Sequence, residues 1–495
     1  MDYLSTRGGS PVSASQAILR GLAPDGGLYV PAEFPALPVS METFRSLSYP
    51  ERAAAVLKAF LTDYTEEELR QAVSQAYGER FDSAEPAPVR DLGEGDYALE
   101  LFHGPTLAFK DMALQLLPHL VSLAARKNGE NREISILVAT SGDTGKAALE
   151  GFRDVPGTSC TVFYPLEGVS AVQQLQMTTT GGNNTHVIAL RGNFDDAQTG
   201  VKRLFASPDF IAAMDARGKA LSSANSINFG RLVPQVVYYF SAYADLLNRG
   251  AIRMGDKVHF AVPTGNFGDI LAGCYARRMG LPVGKLICAS NRNDVLTDFF
   301  HTGVYSVSRP FHKTISPSMD ILVSSNLERL LFELADRNPE QVRDWMSALK
   351  REGRYAITPA QLAWLQEHFA AASADDDETR AEIARRWKKG CLMDPHTAVG
   401  AKALRQWRAE TGDTAPAVIV STASPYKFAA DVLKAIAPEE TAAAGDAFGC
   451  SLRLEALTGV PVPASVKALP TLPVRHKAVC GREDMMDAVL AAFDR

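Results

Sequence analysis

The sequence predicts an α/β protein built on parallel sheet, and three observations carry that prediction. Short, continuous apolar runs recur along the chain, each is followed by a loop of small residues, and each loop opens into a helical pattern. Strands that are apolar throughout, rather than alternating, are covered on both faces, and strands separated by helices run parallel. At 495 residues the chain is long enough for about three domains. Its 46% hydrophobic and 22% charged content is that of a globular protein and excludes a disordered or fibrous one.

The elements follow in order. Residues 1–93 are mainly helical, with breaks at Pro24-Asp25-Gly26-Gly27 and Pro86-Ala87-Pro88, and are predicted as an N-terminal domain. After Gly104-Pro105 a helical pattern puts Leu114, Leu117, Val121 and Ala124 on one face, with Pro118 inside it as a kink. A strand at 134–139 runs into the loop 140–145 and an Ala-rich helix from Lys146. A strand at 161–164 leads to a helix over 169–177, and one at 186–190 to the loop 191–195. The strand 258–262 leads through Pro263 and the loop 264–268 to a helix ending at Gly280. Strands at 286–289 and 417–420 lead to Ser290-Asn291 and to the loop 421–425. Residues 320–395 are predicted as helical, with 371–377 as an exposed linker. Asp375-Asp376-Asp377-Glu378 reads as a solvated helix start rather than a metal cluster, because acids favour the first turn.

Composition narrows the function. With 51 Lys and Arg against 57 Asp and Glu the net charge is -6, which argues against nucleic acid as the main partner. No apolar run approaches the ~18 residues of a membrane span. The six cysteines are scattered without a C-x-x-C pair, so they are expected reduced and buried, in neither a disulfide framework nor a zinc site. The first seven residues have neither an apolar signal core nor an Arg-rich transit pattern, and the cytoplasm is the expected compartment.

Ligands of such a sheet bind beyond the carboxyl ends of its strands, so the loops there carry the chemistry. In His103-Gly104-Pro105-Thr106-Leu107-Ala108-Phe109-Lys110-Asp111, Lys110 falls in the first turn of a helix, where the dipole disfavours a cation. Flanked by Phe109 and Met112, its amine is expected to deprotonate readily, as a Schiff-base lysine must; the alternative is a surface lysine beside an N-terminal aspartate. Gly265-Asn266-Phe267-Gly268 offers backbone N–H groups and a helix N-terminus to a phosphate, or is an ordinary βα turn. Gly192-Asn193-Phe194-Asp195 imitates it, but Asp195 would repel a phosphate. Thr140-Ser141-Gly142-Asp143-Thr144-Gly145-Lys146 fails as a P-loop, since Thr140 and Ala147 stand where glycine and Ser or Thr are needed; it can receive a carboxylate instead. Thr422, just past a strand end, suits either a ring nitrogen or a helix N-cap. No G-x-S-x-G elbow supports a triad of Ser141 with His103 or His396, and Asp394-Pro395-His396-Thr397 reads as a turn and helix cap.

Taken together and in this order, H-G-P-T-x-A-F-K-D, S-G-D-T-G, P-T-G-N-F-G and S-T-A-S-P-x-K-F resemble the threonine synthase family and, more widely, the fold type II pyridoxal-phosphate enzymes. Residues 3–8, 23–28, 225–231 and 394–398 also look like that family, so the resemblance covers essentially the whole chain, in the family's longer form. It implies two parallel-type open sheets with helices on both faces and a mainly helical N-terminal domain. It implies a large cofactor-binding domain of 94–133 and 228–495 with a helical insertion near 320–395, and a small substrate domain of 134–227. Lys110 would hold pyridoxal 5'-phosphate and shuttle protons. Gly265, Asn266, Phe267 and Gly268 would wrap its phosphate, and Thr422 would hydrogen-bond its ring nitrogen, leaving that nitrogen largely unprotonated. Ser141, Gly142, Asp143 and Thr144 would receive the substrate carboxylate, with Asp143 departing from the asparagine usual in the wider fold type. Asn228 and Arg231 would meet the substrate phosphate. The implied reaction converts O-phospho-L-homoserine and water to L-threonine and phosphate by γ-elimination followed by β-addition of water, in a monomer or homodimer.

The motifs do not separate this reaction from a phospho-lyase that releases 2-oxobutyrate from the same substrate. A fold type II enzyme acting on serine is opposed by the N-terminal segment and by Asn228 to Arg231. A non-catalytic relative is opposed by intact Lys110, Gly265 to Gly268 and Thr422.

Overall fold

A computed structural model describes residues 1–140, 142–167 and 169–494. Two sheets organise the chain. The larger has six strands in the order Phe369–Ser373, Val283–Ser290, Val258–Pro263, Ala417–Ser421, Asp96–Glu100 and Val89–Gly93, all parallel except the last pair. The smaller has five parallel strands in the order Ala478–Cys480, Thr185–Leu190, Thr158–Pro165, Glu133–Ala139 and Lys219–Ser222. The strands Thr158–Pro165, Val258–Pro263 and Ala417–Ser421 are buried at every residue, as strands sandwiched between helices must be.

Several predicted boundaries move. Residues 1–93 do not hold a core of their own. Tyr3, Phe44, Phe60 and Leu69 lie in one continuous apolar cluster with Tyr239, Phe260 and Leu286 of the large layer. Arg329, fully buried, ties this segment down by donating to the Tyr29 and Ile227 carbonyls and to the Asn326 side chain. The helix after Lys110 is divided into Lys110–Leu114 and Leu117–Lys127, and Pro118 sits in the first turn of the second, where its missing N–H costs nothing. The stretch 371–377 is not a linker: Phe369–Ser373 is the edge strand of the large sheet. A run of alanines carries no β-branched signal, and only pairing with Val283–Ser290 makes it a strand. Asp375 does cap the next helix, accepting from the Glu378 N–H in a capping box.

Residues 228–495 also divide. The chain returns at its end to the small sheet, where Ala478–Cys480 pairs with Thr185–Leu190 and Met485 and Val489 fill that layer's own core with Phe163 and Leu190. All six cysteines are buried and free. Among the described residues no helix is long and apolar enough to cross a membrane, and no group of His, Cys, Asp and Glu could hold a metal ion.

Candidate active site

The parallel strands Asp96–Glu100, Val258–Pro263 and Ala417–Ser421 end along one edge of the large sheet, and their loops converge there. Two of them are stitched together. The Phe109 N–H donates to the Thr422 carbonyl at 2.8 Å, the Ser424 N–H donates to the Leu107 carbonyl at 3.0 Å, and Ala108 bridges Ala423. Lys110 and Thr422, 312 positions apart in sequence, are thereby fixed side by side. The turn before Lys110 is closed by Asp111, which accepts from the Thr106 N–H at 2.8 Å and from its hydroxyl at 2.7 Å. Gly104 is required there, since a Cβ would lie 2.5 Å from that of Asp111.

The Lys110 amine lies among charges. Its pKa falls to about 8, chiefly because it is desolvated, and the Lys427 and Arg231 cations lower it further, while Asp143 opposes them. The predicted depression is present, with burial as its main cause. Asp143, at the start of the helix Asp143–Phe152 on the small sheet, reaches across: Oδ1 takes Lys427 Nζ at 2.8 Å and Oδ2 stands 3.8 Å from Lys110 Nζ. Burial alone would raise this carboxyl, but Lys427 and then Lys110 outweigh it and hold it well below the ordinary carboxylate range. The Asp143 side chain is therefore committed to two lysines, and an anionic substrate group can meet only its backbone N–H. That revises the expected carboxylate contact.

Gly142 is the residue before that helix, at φ +150°, with Gln173 so close that a Cβ would lie 2.4 Å from its amide. Thr144 occupies the first turn beside it. Ser141 lies outside the described residues. Gly142 and the first turn of Asp143–Phe152 leave a helix N-terminus beside Lys110, as an anion needs.

The loop 264–268 is held from behind. The Ser324 hydroxyl donates to the Gly265 carbonyl at 2.6 Å, and Asn326 donates to the Asn266 carbonyl from both its backbone and its side chain. Phe267 takes a left-handed conformation at φ +65°, its ring stacked on Phe300, and the helix Gly268–Arg278 starts at the next residue. With the carbonyls engaged, the first-turn N–H groups remain for a ligand. At Gly268 an added Cβ would meet nothing closer than the side-chain amides of Asn326 at 3.6 Å and Gln235 at 3.7 Å.

Arg231 is buried, donating to the Ala224 carbonyl at 2.8 Å, and its Nε has no partner. Burial pulls its pKa down to about 10. An unsatisfied buried guanidinium N–H is costly and calls for an anion. Asn228 is different. It caps the helix Phe229–Asn248 through Oδ1, and its Nδ2 donates to the carbonyls of Ile18 and Ser223. Both amide protons are spent on the fold, which leaves the Arg231 Nε as the unpaired donor of the two. His103 is held between Asp82 and Glu100.

The comparisons with known proteins bear on this geometry. A model of the threonine synthase N terminus matches residues 2–77, and one of the threonine synthase C-terminal region matches 397–485. The threonine synthase of Pseudomonas aeruginosa is 43% identical over 439 residues, which cover 88% of this chain and 90% of that protein. The chain belongs to the threonine synthase family. Threonine synthase-like 1 of Homo sapiens is 42% identical over 440 residues, 86% of this chain and 58% of that protein. Among solved structures, the pyridoxal-phosphate-bound threonine synthase of Brucella melitensis matches with a TM-score of 0.87 and 40% identity over 100% of both chains. The fold is thus the fold type II architecture that the motifs implied.

Sequence reasoning missed three residues that stand around Lys110 and Asp143. Lys427 stood inside a quoted motif and was given no role. His396 was read as part of a cap. Ser318 had no local signal at all; it comes from the 3-10 turn Pro317–Met319 and puts its hydroxyl 3.3 Å from Lys110 Nζ. That turn also packs on the loop 264–268, because a Cβ at Gly265 would lie 2.6 Å from the Ser318 carbonyl oxygen. Gly265→Ala is expected to cost about 1–3 kcal/mol of stability by overpacking. It should lower kcat at least about tenfold by displacing Ser318. Urea unfolding and steady-state kinetics on the same variant check both.

Proposed function

We propose that this chain forms L-threonine and phosphate from O-phospho-L-homoserine and water, with pyridoxal phosphate held at Lys110. The observation that carries this reading is a buried lysine of lowered pKa, set at the meeting of the stitched 101–109 and 422–424 loops, a helix N-terminus at Gly268 and an Arg231 whose Nε has no partner. The site fits the cofactor: an amine, a first-turn amide cradle open at Gly268 and a hydroxyl residue at the strand end are the donors it needs. When bound, pyridoxal phosphate supplies an electron sink for carbanionic charge at the substrate's α and β carbons.

The protein's own groups do the rest. Gly265 to Gly268 would bind the cofactor phosphate, and Thr422 would offer the ring nitrogen a neutral hydroxyl. Gly142 and Thr144 present the start of the helix Asp143–Phe152 to the substrate carboxylate. Arg231 takes the substrate phosphate through its free Nε and helps it leave as an anion. The Lys110 amine takes the Cα proton and hands it to the substrate phosphate, which leaves as hydrogen phosphate. It then takes the Cβ proton, returns it at Cγ and, once water adds at Cβ, delivers the water's proton to Cα. A flexible four-carbon stem lets one amine reach all three positions. Water must be excluded until it is wanted at Cβ, which calls for the layer that carries Asp143 to close over the site during turnover. The protein works in the cytoplasm.

An NMR time course of the purified protein with pyridoxal phosphate and O-phospho-L-homoserine tests the reading. Threonine and phosphate appearing together are the expected result. Phosphate with 2-oxobutyrate would reassign the same residues to a phospho-lyase.

A further inference from the structure

Three features outside the assigned roles converge on one turn. The first is Ser318 itself. Its Oγ accepts from Lys110 Nζ at 3.3 Å and donates to Asp143 Oδ2 at 3.3 Å, so one hydroxyl bridges the reacting amine and the buried carboxylate. The second is His396. Its Nε2 accepts the Ser318 backbone N–H at 3.1 Å, which requires the ring proton to be on Nδ1. The third is Asp394, whose Oδ1 takes that Nδ1 proton at 2.8 Å and also the His396 N–H at 2.9 Å. Asp394 Oδ2 is gripped in turn by the N–H and hydroxyl of Thr397, and the Thr397 hydroxyl lies 3.1 Å from that of Ser421 at the end of a large-sheet strand. Asp394 and His396 are almost wholly buried, and the imidazole packs edge-on against Phe428 at 4.9 Å. A cap for the helix Pro395–Thr411 needs only the aspartate. The histidine adds one thing: it reaches out of the helix and holds a single backbone N–H of a three-residue turn.

We propose that Ser318 orients the Lys110 amine during proton transfer, and that His396, fixed in one tautomer by Asp394, is the positioning residue that holds Ser318 there. This rests on the reading of Lys110 as the acting base. The chain Ser421–Thr397–Asp394–His396–Ser318 then anchors the mobile amine to a rigid strand end. A lysine stem free to rotate would otherwise spend most of its time out of line with the carbon it serves.

The test uses the holoenzyme and four variants, with wild-type turnover to threonine established first. Ser318→Ala should lower kcat at least about tenfold and leave KM within about threefold, while Ser318→Thr keeps the hydroxyl and recovers most of the rate. His396→Leu should reproduce the Ser318→Ala loss, whereas His396→Gln, whose side-chain oxygen can accept the same N–H, recovers it. A second readout does not depend on turnover. Apo Ser318→Ala, with an unchanged urea midpoint, and apo His396→Leu should capture pyridoxal phosphate more slowly than apo wild type, followed by the cofactor's absorbance. Ser318→Ala with wild-type kcat and wild-type capture overturns the proposal. His396→Leu with wild-type kcat and capture, alongside a slow Ser318→Ala, overturns the role of His396. A wild type that makes no threonine but shows the same ordering in the capture rates would sink the functional reading and leave the role of Ser318 standing.

Discussion

Lys110→Ala should abolish threonine formation, with kcat down at least about a thousandfold, since the change removes both the anchor and the base. The variant should fold. The side chain it deletes is not part of the apolar core: its amine makes one hydrogen bond, to Ser318, one long contact, to Asp143, and lies over the Phe109 ring. In the wild type, borohydride reduction followed by proteolysis should place the cofactor's mass on the peptide that carries Lys110. The pH dependence has a definite sign. Capture of the cofactor needs the neutral amine, and burial lowers its pKa from 10.5 to about 8. About one amine in ten is then neutral at pH 7, and the capture rate of the apo protein should climb through about pH 8 and level off above it. A capture rate still rising steeply at pH 10 would mean an ordinary lysine.

Asp143→Asn should be the most destabilising single change at the site, by about 3–5 kcal/mol in urea unfolding, because it strands the buried Lys427 without its counter-ion. The acid side gives a second measure. A carboxyl held below its unfolded value contributes stability that is complete above that value, near 3.8, and is lost as pH falls further. The wild type should therefore lose stability below about pH 4 more steeply than the variant. The third measure moves the other way. Asp143 raises the Lys110 pKa, so its removal lowers that pKa and makes more neutral amine at pH 7. Apo Asp143→Asn should capture pyridoxal phosphate faster than wild type at pH 7 while turning over more slowly. Slower capture together with slower turnover would show that the carboxylate acts on geometry rather than on charge.

How much of this was legible in the chain differs from residue to residue. Strands such as Val258–Pro263 and Ala417–Ser421 are fully buried and, apart from His259 and Ser421, apolar, so their local composition states their place in the sheet. Phe369–Ser373 is a strand only because a neighbour pairs with it, and Ala478–Cys480 is three residues long with no pattern to read. Lys110 and the loop 264–268 could be picked out because a lysine in a first turn and glycines before a helix are local statements. Asn228 misled for the opposite reason. A polar residue before a helix reads alike whether its amide meets a ligand or, as here, the Ile18 and Ser223 carbonyls.

The sequence by itself determined the α/β class, the order of strand, loop and helix, and the loops that carry the reacting groups, because each is encoded within a dozen neighbouring residues. Only the tertiary structure decided what stands against Lys110. Ser318 reaches it across 208 positions and reaches Asp143 across 175, and His396 holds Ser318 from 78 positions further on. Contacts of that separation leave no local mark, since they depend on which sheet edges come together. The charge state of the reacting amine is set by burial among those contacts.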